Sequence, residues 1–218
     1  MSRTYNLSEQ NSVVHDYMER LRNVRKQKDR SSFRKNIERI GSFIGFEVSK
    51  TLNYREIEFN TPLAAHRQLV TDDSIVVITI LRAGLPMHEG ILDVFPDAES
   101  GFISAFRKHD GDAFTIEVQY VACPDLTGKV LVINDPMLAT GSSMITAWEA
   151  LLAYGQPKRV ILAAVIASEE GVAYVHRLAP TAFDLWVGAI DPELNELKYI
   201  VPGLGDAGDL AFGEKLQR

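Results

Sequence analysis

The sequence predicts an α/β protein whose central parallel sheet is flanked by helices, with an antiparallel hairpin as a hood beside it. Three observations carry that expectation. After residue 74 the short apolar runs Ile75 to Leu81, Val130 to Ile133 and Val160 to Ile166 are each followed by a segment of helical period, the alternation that parallel strands and crossover helices produce. Between the first two runs, Phe114, Ile116, Val118 and Tyr120 alternate with Thr115, Glu117 and Gln119. Lys108-His109-Asp110-Gly111-Asp112 supplies turn chemistry ahead of them, so residues 101–121 read as the hairpin. At 218 residues, with 46% apolar and 24% charged, the chain can bury a sizeable core and reads as one domain over 1–218.

The elements follow in order from the N-terminus, where helices are expected over 8–48. Val13, Tyr17, Leu21 and Val24 recur at spacings of four, four and three, which puts them on one helical stripe. The basic cluster from Arg20 to Arg30 falls mostly off that stripe and reads as a solvated face. A second helix is expected from about Phe33, capped by Ser31 or Ser32, with Phe33, Ile37, Ile40 and Ile44 as its apolar face and its basic residues on the surface. Glu56-Ile57-Glu58-Phe59 alternates as a half-buried strand does, and Thr61-Pro62 ends it. Residues 72–190 form the α/β core, and a glycine-rich segment over 198–212 closes the chain. No internal repeat, low-complexity tract or Gly/Ser linker divides it.

Several function classes are disfavoured by composition. A lone cysteine, Cys123, cannot make an intrachain disulfide, and residues 1–6 lack an apolar secretory stretch, so a cytoplasmic, reducing setting is expected. The longest apolar run, Val160 to Ala167, is far short of the roughly 20 residues that cross a bilayer. Net charge is −6 and the pI is near 5.4, so no global positive field draws nucleic acid or acidic lipid. An anionic ligand would need a local site.

That site is offered by Val130-Leu131-Val132-Ile133-Asn134-Asp135-Pro136-Met137-Leu138-Ala139-Thr140-Gly141-Ser142-Ser143, which reads as strand, loop and helix start. The strand would deliver Asn134 and Asp135 to its carboxyl edge, where open α/β sheets bind ligands. Free N–H groups at the helix start suit a phosphate, Gly141 lets the backbone approach it, and Thr140, Ser142 and Ser143 add hydroxyls. Asp135 could accept hydrogen bonds from a sugar diol. A Thr-Gly-Ser-Ser tetrapeptide alone more often just caps a helix. Two further segments add weight. Ile80-Leu81-Arg82-Ala83-Gly84-Leu85-Pro86 ends an apolar strand in an arginine whose planar fork suits a diphosphate. Tyr199-Ile200-Val201-Pro202-Gly203-Leu204-Gly205-Asp206-Ala207-Gly208-Asp209 places three glycines within six residues, so sharp turns could expose main-chain donors and acceptors to a planar base.

These three segments resemble the uracil phosphoribosyltransferase family, a branch of the type I phosphoribosyltransferases, and the resemblance runs over nearly the whole chain. It is closest at Asp135 to Gly141 and at Tyr199 to Asp209. The resemblance implies the type I fold and transfer of the phosphoribosyl group of phosphoribosyl pyrophosphate (PRPP) to uracil, giving UMP and pyrophosphate. It implies that Arg82, Arg107, Asp135, Pro136, Met137, Leu138, Ala139, Thr140, Gly141, Ser142, Ser143 and Asp206 bind PRPP. Ile200, Gly205, Asp206 and Ala207 would bind uracil, and Arg107, Asp135 and Asp206 would serve the transfer. Mg²⁺ would arrive mainly on PRPP or pyrophosphate, with no site of its own on the protein. A homo-oligomer, dimer or tetramer, is implied, and regulation by GTP or another nucleotide is left open.

The stretch Arg107-Lys108-His109-Asp110-Gly111 departs from the family pattern, and so do two single residues: Asn134 stands where an acid or an apolar residue is usual, and Ser142 replaces a glycine. If position 142 needed φ > 0, a serine there would store about 1–3 kcal/mol of strain, so an ordinary φ is expected. His15, His66, His88, His109 and His176 have no metal-ligand spacing, and His88 reads as a helix-surface residue. Two rival readings stay open: a phosphoribosyltransferase for another base, and a regulatory protein that keeps the fold to sense RNA or a nucleotide. The acidic pI and the intact Gly205-Asp206-Ala207 weigh against the second.

Overall fold

In the computed structural model, residues 1–110 and 113–216 are described, with only the backbone of residues 105–110 and 113–118. The expected turn at Gly111 and Asp112 therefore lies outside the described residues. The chain runs β1 (Arg3–Asn6), α1 (Val14–Arg22), α2 (Arg30–Ser49), β2 (Tyr54–Asn60), β3 (Ala65–Thr71), β4 (Ile75–Leu81), α3 (Leu85–Val94), β5 (Glu99–Asp110) and β6 (Ala113–Ala122). It continues with β7 (Val130–Asn134), β8 (Met137–Leu138), α4 (Ser142–Leu151), β9 (Arg159–Ser168), α5 (Glu169–Leu178), β10 (Phe183–Asp191), β11 (Glu193–Leu194), β12 (Ile200–Val201) and α6 (Ala207–Phe212).

The main sheet has the order β1-β10-β9-β7-β4-β5-β6, with β8 added beside the far half of β9. Every described pairing in it is parallel except the β5–β6 hairpin. Apart from Thr79, Asn134 and the two ends of β9, strands β4, β7 and β9 are apolar, because both faces are covered, the condition for a parallel sheet. Alternate residues serve opposite layers. Ile75, Val77, Val132, Ile161 and Ala163 pack with α1, α2 and α3, whereas Val76, Ile78, Leu131, Ile133 and Leu162 pack with Trp148 of α4 and Val175 of α5. This fold class is the one expected from the apolar runs.

Local details depart from expectation where charge or chain ends outweigh periodicity. The α2 cap is Asp29, whose carboxylate accepts the Ser32 N–H at 2.6 Å, so the helix starts three residues before Phe33. A charged acceptor complements the helix N-terminus better than the hydroxyls of Ser31 or Ser32. In α1 the buried stripe is Val14, Met18 and Leu21, while Val13 and Val24 lie outside the helix and are exposed. Arg22 is not part of a solvated face, since it forms a partly buried ion pair with Asp191. The segment expected as a half-buried strand is half of a two-stranded hairpin, β2–β3, and only Ile57 and Val70 in it are partly buried. Strands β1, β3 and β10 are additions to the expected set. The β10 run is broken by Asp184 and Gly188, which hides its apolar character.

Helices α2 and α3 pack closely enough to exclude a methyl group. A Cβ at Gly90 would fall inside the van der Waals envelope of the Glu38 carbonyl oxygen on α2, and one at Gly41 would lie 2.6 Å from the Met87 carbonyl oxygen on α3. Gly90→Ala therefore forces the helices apart, and its expected cost is about 2–3 kcal/mol. Denaturant titration checks this, and an unchanged midpoint would contradict the packing.

Candidate active site

The site lies at the carboxyl edge of the parallel strands, where β7 stops and β9 continues. Asp135 N–H bonds the Ala163 carbonyl at 3.1 Å, and the Pro136 carbonyl accepts the Val165 and Ile166 N–H groups at 3.1 and 3.0 Å. Met137 and Leu138 then pair with Ile166 and Ala167 as β8, and the Ser168 hydroxyl donates to the Ala139 carbonyl at 2.6 Å. The loop is thus laid along β9 residue by residue. It turns into α4 at Gly141, which has φ +79° and where a Cβ would come within 2.9 Å of the Gly171 carbonyl oxygen. Glycine is required there on both counts.

Asp135, Met137, Leu138, Ala139, Thr140, Gly141, Ser143 and Met144 line a pocket of about 60 Å³ at the α4 N-terminus. Pro136 is buried beneath it and Ser142 is not in its lining. The Ser142 hydroxyl instead meets the Thr140 hydroxyl at 2.6 Å. Among the described residues the only non-glycine with positive φ is Lys198, so Ser142 has the ordinary backbone expected of it. A larger cavity of about 380 Å³ lies elsewhere, between Tyr5, Trp186 and Phe43, and none of the expected site residues lines it.

The other two segments converge on this pocket. Ala207 N–H points to the Met137 Sδ at 3.4 Å, so the glycine-rich turn rests directly on the loop. Asp206 caps α6 by accepting the Asp209 N–H at 2.9 Å. Arg82, just past β4, donates from Nη2 to Asp209 Oδ1 at 3.3 Å and to the Gly213 carbonyl at 3.1 Å. Ile200 is buried, and Gly205 has φ +93°. Arg107 lies on β5 opposite Ile116, but its side chain is outside the described residues.

Electrostatics single out Asp135. It stands at the pocket wall with part of its surface open, yet the surrounding protein strips most of its hydration. Desolvation, helped by the nearby Asp206, pushes its carboxyl up to about 7 against one N–H donated by Met137. The Cys123 thiol is also pushed up by burial, to about 11, and is not a nucleophile near neutrality.

Beneath the site runs a buried polar chain that periodicity could not reveal. Asn134 Nδ2 donates to the Ile78 carbonyl at 3.2 Å and to Thr79 Oγ1 at 2.6 Å. Thr79 meets His88 Nδ1 at 2.6 Å, and His88 Nε2 meets Ser100 Oγ at 2.6 Å. Thr79 Oγ1 accepts from the Asn134 amide, and both ring nitrogens of His88 are engaged by hydroxyls. His88 is therefore not the surface residue expected; it is buried, and desolvation lowers its pKa. The Thr79–His88 bond spans the Arg82 loop, and Asn134 adjoins Asp135.

The fold is one found among solved phosphoribosyltransferases. A hypoxanthine phosphoribosyltransferase of Staphylococcus aureus superposes with a TM-score of 0.50 at 13% identity, over 74% of this chain and 76% of that one. A solved Aquifex aeolicus protein superposes with a TM-score of 0.86 at 30% identity, over 98% of this chain and all of that one. The uracil phosphoribosyltransferase family model matches residues 8–214. A Porphyromonas gingivalis protein named uracil phosphoribosyltransferase is 47% identical over 96% of this chain and 98% of its own. The chain belongs to the uracil phosphoribosyltransferase family.

Because Asp135 carries a raised pKa when folded, the folded state holds a proton that the unfolded chain releases, between the ordinary carboxylate range and about pH 7. Stability from this group is present below that window and is lost as pH rises through it. Asp135→Asn should therefore gain stability over the wild type between pH 4 and 7.5, by roughly 2–4 kcal/mol at the upper end. Thermal midpoints of ligand-free protein across that range check it, and a pH-independent difference would contradict the burial of this carboxylate.

Proposed function

We propose that this chain displaces pyrophosphate from the ribose anomeric carbon of PRPP with a ring nitrogen of uracil, giving UMP. One observation carries the reading. The glycine-rich turn rests on the phosphate-type loop through Ala207 and Met137, so a base read by that turn lies beside a ribose held at Asp135.

In this reading the 60 Å³ pocket holds the 5′-phosphate on the α4 N-terminus with Thr140 and Ser143, and Asp135 accepts the ribose hydroxyls. Hydroxyl donors favour the charged carboxylate, so binding PRPP lowers the Asp135 pKa from its raised value. Arg82 exchanges Asp209 and the Gly213 carbonyl for the diphosphate, joined by Arg107. The existing Arg82–Asp209 pair is partly exposed, and such pairs are worth at most about 1 kcal/mol, so a diphosphate competes well. Ala207 N–H gives up a thioether, a weak acceptor, for a uracil carbonyl, while Ile200 and Gly205 offer the remaining main-chain contacts and Asp206 faces PRPP.

Mg²⁺ enters as part of the substrate. Among the described residues no three His, Cys, Asp or Glu side chains cluster closely enough to hold an ion, and a hard cation favours diphosphate oxygens. The ion supplies charge neutralisation for the leaving group, and Asp206 is the carboxylate of this chain placed to meet it. Holding both reactants in attack geometry can contribute on the order of 7–11 kcal/mol, so no general base has to be assigned. No helix is long and apolar enough to cross a membrane among the described residues. We place the enzyme in the cytoplasm as a homo-oligomer.

Turnover with PRPP, Mg²⁺ and a panel of bases tests the reading. Uracil presents acceptor, donor, acceptor along O2, N3–H and O4, whereas cytosine reverses the last two and would leave main-chain groups unpaired. Uracil should be preferred by roughly 10⁴-fold in kcat/KM, and comparable use of cytosine would sink main-chain readout. Arg82→Ala should raise the Kd for PRPP and slow turnover by about tenfold or more each. Unchanged values would remove Arg82 from the site.

A further inference from the structure

The glycine-rich turn is held by the end of α1, the turn that follows it and the end of β10. Asp191, the last residue of β10 and 4% exposed, accepts the Gly203 N–H at 2.9 Å. Its two oxygens take both terminal nitrogens of Arg22 at 2.6 and 2.7 Å, and Arg22 Nη1 also donates to the Gly203 carbonyl at 3.0 Å. Both main-chain polar groups of Gly203 are thus engaged by one ion pair. One residue later the Leu204 carbonyl accepts from Gln27 Nε2 at 3.0 Å, and the same nitrogen donates to the Leu21 carbonyl at 2.9 Å. Gly203 itself has φ +60°, and a Cβ there would collide with the Ile200 carbonyl. The turn can neither swivel nor slide without breaking these bonds.

We propose that Arg22, Asp191 and Gln27 are specificity-determining positioning residues, which set the distance and pitch at which the 200–207 backbone meets the base. The inference rests on the reading of Ile200, Gly205 and Ala207 as the uracil contacts. Main-chain donors and acceptors are chemically the same at every residue, so they select a base only through where they are held. Hydrogen bonds weaken steeply with misalignment, and sites of this kind depend on the groups that lock the first contacts in place. A planar guanidinium fixed on a carboxylate at two points gives that rigidity, and lysine does not. The clamp consumes both main-chain polar groups of Gly203 and the Leu204 carbonyl and leaves the neighbouring main chain to the base. It also explains why Arg22, the last residue of α1, is drawn into the protein.

Deleting Arg22 or Asp191 outright would strand a buried charge and endanger the fold, so milder variants are the test. Arg22→Lys keeps the charge without the fork, and Gln27→Met keeps length while losing both donated bonds. In each folded variant the uracil KM should rise roughly tenfold, a change of about 1.4 kcal/mol. The uracil-over-cytosine ratio should narrow by a similar factor, while the Kd for PRPP titrated without base stays within about twofold. A purely structural role would lower the thermal midpoint and the active fraction but leave KM and the base ratio in place. Wild-type uracil KM and base ratio in both variants would overturn the inference, as would parallel loss of PRPP affinity. Absence of uracil turnover in the unmodified protein would remove the parent reading, and is seen before any variant is compared.

Discussion

The cleft depends on β9 being longer than β7. Where β7 ends at Asn134, its neighbour runs on to Ser168, and the loop that leaves β7 is bonded to that extension through Pro136, Met137, Leu138 and Ala139. A loop at a sheet edge normally faces water with unpaired backbone groups. Here those groups are satisfied from below, so the upper surface is free for a ligand. Ser168 joins the two jobs, since its hydroxyl donates to the Ala139 carbonyl and accepts the Gly171 N–H that begins α5. The close passage of Gly171 under Gly141 then fixes the height at which α4 starts.

On the proposed function that rigidity matters, because a polyanion would have to come to an acid-rich edge. Asp206 lies close enough to disfavour the charge of Asp135, and Asp209 is paired with Arg82. The free protein relieves the conflict by keeping Asp135 largely protonated toward neutrality. A ligand that brings hydroxyl donors to Asp135 and a dication to the diphosphate changes the balance, because both favour ionised carboxylates. On the proposed function, then, affinity for PRPP and the charge of Asp135 are linked, and the acidic edge disfavours a diphosphate that arrives without its cation.

The parallel core was legible because strands buried on both faces leave contiguous apolar runs, and β4, β7 and β9 are of that kind. The loop from Asp135 to Ser143 could be read as chemistry because it combines glycine, hydroxyl and acid just past β7, whereas the loop after β4 offered a single arginine and the 199–209 segment its glycines and acids. The edge strands were not legible. β1 is four residues long, and β10 is interrupted by Asp184, which pairs with Arg159, and by Gly188, where a Cβ would lie 2.6 Å from the Val165 carbonyl oxygen. His88 misled because a polar residue on an amphipathic helix defaults to the surface. Its burial is settled by Thr79 and Ser100, nine residues before and twelve after it, on strands whose hydroxyls lie within hydrogen-bond reach of its two ring nitrogens. Arg22 misled for the same reason, since its partner Asp191 lies 169 residues away. Pairings across that separation have no local pattern to read.

The two single-residue departures from the family pattern have local explanations that leave the ligand side of the loop intact. At Asn134 the side chain faces the Ile78 carbonyl and Thr79, and an acceptor-only carboxylate would set oxygen against that carbonyl. The amide supplies the donor needed, although its Oδ1 has no hydrogen-bond partner among the described residues. An unpaired buried acceptor costs about 1–3 kcal/mol, and Gly84 of the Arg82 loop passes close enough that a Cβ there would lie 3.3 Å from that oxygen. At position 142 the demand for positive φ is met one residue earlier, by Gly141, so Ser142 can be the first residue of α4 without strain. Its hydroxyl shares a hydrogen bond with Thr140 and lies outside the pocket lining. The serine thus orients a neighbour that does line the pocket, and the N–H groups at the start of α4 still face the space where a phosphate would sit.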